Sequence, residues 1–106
     1  MVVLERDRYV VFQVLPEDID LKLPELKQKI WQMYKLLFGI DKTTEAGLYF
    51  EEFDNPSKKG LIRCNSNSFS FLMTTLSMIT EIDKKELIVF PIFVSGLIKK
   101  AKSHLS

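Results

Sequence analysis

The chain has 106 residues, 46% of them hydrophobic and eight of them phenylalanine, with a formal net charge of +1. This length and composition predict one domain over residues 1–106 with a real core, and they exclude a disordered chain. The charge is uneven, since residues 1–57 carry seven basic and eleven acidic side chains whereas residues 58–106 carry eight and three. The second half is therefore the predicted anion-binding half.

The single cysteine, Cys64, excludes an internal disulfide and is typical of a reducing compartment. The N-terminal residues lack the pattern of a signal peptide, and no apolar run approaches the roughly 20 residues that span a bilayer. We therefore expect a cytoplasmic protein that does not associate with membranes.

The first half of the chain predicts a strand, a helix and a second strand. β-branched and aromatic residues indicate a strand over residues 8–15, and a helix begins near Pro24. Gly39 is a stop signal, residues 40–47 have a polar composition typical of a loop, and residues 48–53 form the second strand. The apolar stripe of the helix consists of Leu26, Ile30, Met33, Tyr34 and Leu37.

The second half predicts a hairpin, a helix, a strand and a short basic helix. A turn at residues 54–57 leads into a third strand over residues 60–65. A second helix, with a buried face of Phe69, Leu72, Met73, Leu76, Ile79 and Ile82, precedes a turn at residues 84–85 and a fourth strand over residues 86–94. Pro91 predicts that this strand is an edge strand or is bulged, because proline cannot donate to the ladder.

The Ser95-Gly96 pair breaks the fourth strand, and Ser95 is a candidate cap for the helix that follows. Leu97, Ile98, Ala101 and Leu105 recur there at helical spacing and predict its apolar side. The lysines of this segment are then expected on its outer side.

This order of elements, βαββαβ with an extra C-terminal helix, predicts an α+β fold of the ferredoxin-like type. Such an α/β sandwich has a four-stranded antiparallel sheet with two helices on one face and the first and third strands in its centre. The other face is predicted to be open or covered only in part by the terminal helix. We expect protein partners to dock there, on a surface formed by Tyr9, Val11, Gln13 and Phe93.

The sequence offers no evident catalytic group and no spacing typical of a metal site. His104 lies close to the C-terminus, and Cys64 has the apolar neighbours of a core cysteine. Glu51 and Glu52 alternate along a strand, so with Asp54 they fit a solvated sheet edge better than a Mg²⁺ site. We expect no catalytic residue, no metal ligand and no cofactor bound by this chain.

Basic side chains are the remaining candidates for a binding function. Their clustering in the second half predicts contacts to the phosphates of RNA. The predicted RNA-binding residues are Lys58, Lys59, Arg63, Lys99, Lys100 and Lys102.

Four sequence blocks, in order and at similar spacing, resemble the archaeal and eukaryotic ribonuclease P protein component 2 family. The blocks are Arg8-Tyr9-Val10-Val11-Phe12, Leu37-Phe38-Gly39, Gly60-Leu61-Ile62-Arg63-Cys64 and Val94-Ser95-Gly96-Leu97-Ile98-Lys99. The resemblance implies a ferredoxin-like subunit that pairs with ribonuclease P protein component 3, joins other protein subunits and binds the catalytic ribonuclease P RNA. The holoenzyme is an endoribonuclease that removes the 5′ leader from precursor tRNA, with Mg²⁺ used by the RNA rather than by this chain.

Two other functions remain open from the sequence. One is a ferredoxin-like regulatory domain that binds a small molecule at a dimer interface, and self-association of the chain is likewise open. The other is an acylphosphatase-like enzyme, which the sequence disfavours because residues 15–20 lack the arginine and glycine of a phosphate loop.

Overall fold

The computed structural model describes residues 7–105. The prediction that the N-terminus is not a signal peptide concerns residues 1–6, which lie outside this range. Four long strands form one antiparallel sheet in the order β2-β3-β1-β6. This arrangement confirms the predicted ferredoxin-like fold, with β1 and β3 in the centre. The elements in chain order are β1 (Asp7–Leu15), α1 (Leu23–Glu45), β2 (Tyr49–Asp54), β3 (Lys59–Asn65), a 3-10 turn (Ser66–Ser68), α2 (Phe69–Met78), β4 (Glu81–Ile82), β5 (Lys85–Glu86), β6 (Ile88–Ser95) and α3 (Ile98–Lys102).

The main core lies between the sheet and the pair α1 and α2. Val10, Phe12 and Val14 alternate along β1 and are fully buried against this helix layer. Gly60 lies opposite Phe12 in the register, and a β-carbon on Gly60 would lie 2.3 Å from the Phe12 ring. Glycine is therefore required on β3 because the aromatic ring occupies the space of a side chain.

Helix α1 differs from the prediction at its C-terminal end. Gly39 leaves the helical conformation, with φ of 89°, so the expected stop signal does kink the helix. The chain then resumes a helical course to Glu45, where the hydroxyl of the buried Thr43 donates to the Gly39 carbonyl at 2.8 Å. The loop predicted over residues 40–47 is therefore wrong for most of its length. Leu37 is also outside the buried stripe, since it is 37% exposed.

A short ribbon, β4 and β5, precedes the last long strand. Asp83 and Lys84 both have positive φ, as a two-residue hairpin turn requires. β6 consequently begins at Ile88, two residues later than predicted. The expectation for Pro91 is confirmed, because β6 is an edge strand and its register with β1 shifts beside this residue.

Among residues 7–105, no helix combines the length and apolar character needed to cross a lipid bilayer.

Candidate nucleic-acid interface

Helix α3 lies on the sheet face opposite α1 and α2. Ala101 and Leu105 are buried there against Val11 and Leu61 in a second, smaller apolar cluster. The Ser95 hydroxyl accepts a hydrogen bond from the Leu97 amide at 3.0 Å, so Ser95 holds the turn before the helix rather than the helix end itself. A fixed helix, not a loose tail, therefore covers the middle of the face that we expected to be open.

Leu97 corrects one part of the prediction. It precedes the helix and is 59% exposed, whereas Ile98 is half-buried. The apolar side of α3 consists of Ile98, Ala101 and Leu105.

The three lysines of α3 are exposed, as their position outside the apolar side requires. Lys99, Lys100 and Lys102 occupy the last turn of the helix, where positive charge is also favourable for the helix dipole. The Lys102 ammonium lies 3.4 Å from a carboxylate oxygen of Glu52 on β2, and both side chains are about half exposed. This ion pair spans from α3 to the far edge of the sheet and neutralises one of the three lysines.

The other three predicted RNA-binding residues do not share one environment. Lys58 has a positive φ in the β2–β3 turn and is only 7% exposed, and its ammonium donates to the Asn55 carbonyl at 2.6 Å. Lys59 is half-buried at the start of β3. Arg63 is half-buried in the middle of that strand, with its guanidinium carbon 5.2 Å from the centre of the Tyr49 ring. The structure thus brings together the α3 lysines but gives Lys58 a structural role in a turn.

The predicted partner surface is largely covered by the chain's own residues. Val11 has no exposed surface beneath α3, which corrects its assignment as a direct partner contact. The Gln13 amide donates to the Ser57 carbonyl at 2.7 Å and thereby ties β1 to the hairpin turn. Phe93 stacks on His104 with ring centres 3.8 Å apart. Tyr9 and Phe93 keep part of their surface exposed, so a partner could reach the rim of this face but not its centre.

Two aromatic residues on this face were missed by the sequence reasoning. The sequence places His104 only close to the C-terminus, yet it packs on Phe93. Tyr49 was treated only as part of a strand, although alternation along β2 places it on the same face as Arg63, directly opposite in the register. That alternation was the available signal.

The pKa shifts of Cys64 and Asp54 arise from burial and from hydrogen bonds within a turn. Burial raises the pKa of the Cys64 thiol to about 11, so the thiolate needed of a nucleophile is disfavoured at neutral pH. Hydrogen bonds from Ser57 lower the pKa of Asp54, whose carboxylate accepts from both the amide and the hydroxyl of that residue. Residues 7–105 contain no group of three or more His, Cys, Asp or Glu side chains that could hold a metal ion.

Comparison with known proteins places this geometry in a family. A family model described as Rpp14/Pop5 matches residues 8–106. Ribonuclease P protein component 2 of Pyrococcus horikoshii is 30% identical over 98 residues, which cover 92% of this chain and 81% of that protein. The protein of the same name from Thermococcus kodakarensis is 32% identical over 98 residues, with the same two coverages.

A chain in the cryo-EM structure of yeast ribonuclease MRP shares the fold. The TM-score is 0.71 at 17% identity, and the match covers 91% of this chain and 78% of that chain. The resemblance drawn from the four sequence blocks is confirmed, and it favours the ribonuclease P interpretation over a small-molecule regulatory domain. The chain belongs to the Rpp14/Pop5 family of ribonuclease P proteins.

Proposed function

We propose that this chain acts in ribonuclease P as a non-catalytic subunit that binds the catalytic RNA and supports removal of the 5′ leader from precursor tRNA. Membership of a ribonuclease P protein family supports the proposal. The observation that carries it is the docking of α3, because buried Ala101 fixes a helix whose Lys99 and Lys100 are exposed. Because the helix is already docked, its lysines can reach RNA phosphates without the cost of ordering the backbone of this segment.

The physical contribution of such a subunit is electrostatic. Folded RNA brings phosphates together, and lysines near those phosphates reduce the repulsion that Mg²⁺ must otherwise screen. In this proposal the RNA and its Mg²⁺ ions hydrolyse the phosphodiester, and the chain holds no cofactor. The high pKa of the buried Cys64 thiol agrees with the absence of a role in chemistry.

We further propose a protein partner of the component 3 type, together with other subunits, in the cytoplasm. Leu15 and Ile88 are 40% and 61% exposed at the end of the sheet beside Gln13, and they offer an apolar surface that α3 does not cover. This location replaces the buried Val11 among the residues expected to contact the partner.

Reconstitution tests the function. The chain is mixed with a ribonuclease P RNA and its protein partner, and precursor tRNA cleavage is measured across a Mg²⁺ titration. We expect cleavage at a lower Mg²⁺ concentration than with RNA alone or with an unrelated basic protein of similar charge. A Mg²⁺ requirement equal to that of the basic-protein control would contradict the proposal.

A further inference from the structure

Three side chains form a row straight across the sheet beside α3. Tyr9 on β1 and Tyr49 on β2 each lie opposite Arg63 on β3 in the strand register. All three point away from α1 and α2, because their neighbours Val10 and Ile62 face that layer. The row is therefore Tyr49, Arg63, Tyr9, on the same face as α3.

The row lies just beyond the area that α3 covers. Val11 and Leu61, which α3 buries, are the next residues on the same face of β1 and β3. Same-face neighbours along a strand are separated by about 7 Å. The aromatic row therefore borders helix α3 on the surface.

The chemistry of the row fits a flat aromatic ligand. The Arg63 guanidinium lies over the Tyr49 ring, with 5.2 Å between its carbon and the ring centre, while Tyr49 remains 54% exposed. Tyrosine rings and arginine planes are the groups on which unpaired bases stack. Tyr9 is half-buried and packs on the apolar cluster beneath α3, which makes the other end of the row rigid.

A shallow cleft adjoins the Tyr9 end of the row. It measures about 440 Å³, and its lining residues include Arg8 and the Gly96-Leu97 turn that leads into α3. Asp7 is the one acidic residue among its five lining residues. Arg8 alternates with Tyr9 along β1, so its side chain leaves the opposite face, and its guanidinium donates to the Asp7 carbonyl beside Gly96. The α3 lysines are therefore the cations on the same face as the row.

We propose that the Tyr49–Arg63–Tyr9 row binds an unpaired nucleotide of RNA by stacking on its base, with the α3 lysines next to the backbone. The inference rests on the proposed RNA-binding function and adds a base contact to it. Bases within a duplex are stacked on each other and cannot reach the row, so the site selects single-stranded RNA. The charged Arg63 in the centre of the row disfavours an apolar peptide as its ligand.

Binding of a short single-stranded oligoribonucleotide of mixed sequence, and of a duplex of the same length, tests the proposal. Tyr49→Leu keeps an apolar side chain on the edge strand but removes the ring. We expect single-strand binding to weaken roughly 5- to 150-fold, the range that loss of one base-stacking contact predicts. The salt slope and duplex binding should not change, because no charge is lost.

Three further variants separate stacking from charge and from folding. Tyr49→Trp keeps an aromatic ring and should bind single-stranded RNA as the wild type does. Arg63→Lys keeps the charge but loses the guanidinium plane, so it should weaken single-strand binding without changing the salt slope. Leu36→Ala is the matched control, since Leu36 is 79% exposed on α1, away from this face, and should have no effect. Photo-crosslinking of bromouridine-substituted RNA should label the peptide that contains Tyr49.

The outcomes distinguish the two proposals. If the wild-type chain binds RNA with a clear salt dependence but Tyr49→Leu binds equally well, the stacking site is wrong and the proposed function stands. If Tyr49→Leu weakens duplex binding as much as single-strand binding, the stacking site is also wrong. If the wild-type chain binds no RNA at all, both proposals fail.

Discussion

The ion pair between Lys102 and Glu52 allows the positive charge of the proposed RNA surface to be changed in two ways. Replacing Glu52 increases this charge, and replacing the lysines decreases it. Glu52→Gln removes the carboxylate that lies 3.4 Å from the Lys102 ammonium and leaves the lysine in place. Replacing Lys99, Lys100 and Lys102 with alanine instead removes three exposed charges from α3. The two changes should alter RNA binding in opposite directions.

The size of each effect follows from exposure and charge. Both partners of the pair are about half exposed, so their direct interaction contributes about 0–1 kcal/mol to folding, and neither change should unfold the chain. Each phosphate contact to a single strand contributes about 0.7 to the slope of the logarithm of affinity against the logarithm of salt concentration. Because Glu52 neutralises Lys102, the triple variant loses the contacts of Lys99 and Lys100 and its slope should fall by about 1.4, whereas release of Lys102 should raise the slope by up to about 0.7.

The measurement is RNA affinity by fluorescence anisotropy at several salt concentrations, with thermal melting to verify folding. Lys35→Ala is the control, because Lys35 is an exposed lysine of α1 on the other side of the sheet. A slope unchanged in the triple variant would remove α3 from the RNA interface. A slope lowered equally by Lys35→Ala would reveal only nonspecific attraction.

Three further predictions concern the scaffold that holds this surface. Gly60→Ala forces a methyl group against the Phe12 ring, so the free energy of unfolding in urea should fall by about 1–3 kcal/mol, and an unchanged value would show that the ring can move aside. Because the pKa of the Cys64 thiol is raised to about 11 in the folded state, its contribution to stability is complete below about pH 9 and is lost as the pH rises toward 11. Cys64→Ala should lack this decline, measured as unfolding free energy against pH. Leu105→Ala removes a buried side chain from the cluster that contains Val11, so the free energy of unfolding should fall by about 2 kcal/mol or α3 should detach from the sheet. Detachment would be seen as fast amide hydrogen exchange in residues 98–102 while β1 stays protected. Equal protection of α3 and unchanged stability would contradict the packing described.

The sequence was sufficient to predict local structure where a single residue type restricts the backbone conformation or its hydrogen bonding. Pro91 lies on an edge strand beside a register shift because it cannot donate a hydrogen bond, and Gly39 kinks α1 because it accepts a positive φ. The order of strands followed from the pattern of elements, since the ferredoxin-like connection places β1 and β3 in the centre. The return to helix after Gly39 was missed, because it depends on the burial of Thr43 against other elements.

The candidate site was harder to predict than the fold. Periodicity identified the basic side of α3, yet it could not distinguish the exposed Lys99 from the buried Lys58, whose ammonium is held by a turn carbonyl. The stacking of Arg63 on Tyr49 joins residues on different strands, and it depends on a register that no local pattern encodes.

The sequence by itself determined the family, the order of the elements and the position of positive charge in the second half of the chain. These properties are set by residue types and short spacings, which a linear reading contains. Only the tertiary structure decided that α3 covers Val11, that Glu52 neutralises Lys102 and that Tyr9, Arg63 and Tyr49 form one row. Each of these is a contact between residues distant in the chain, and such contacts exist only once burial of apolar surface has fixed the strand register and the helix packing.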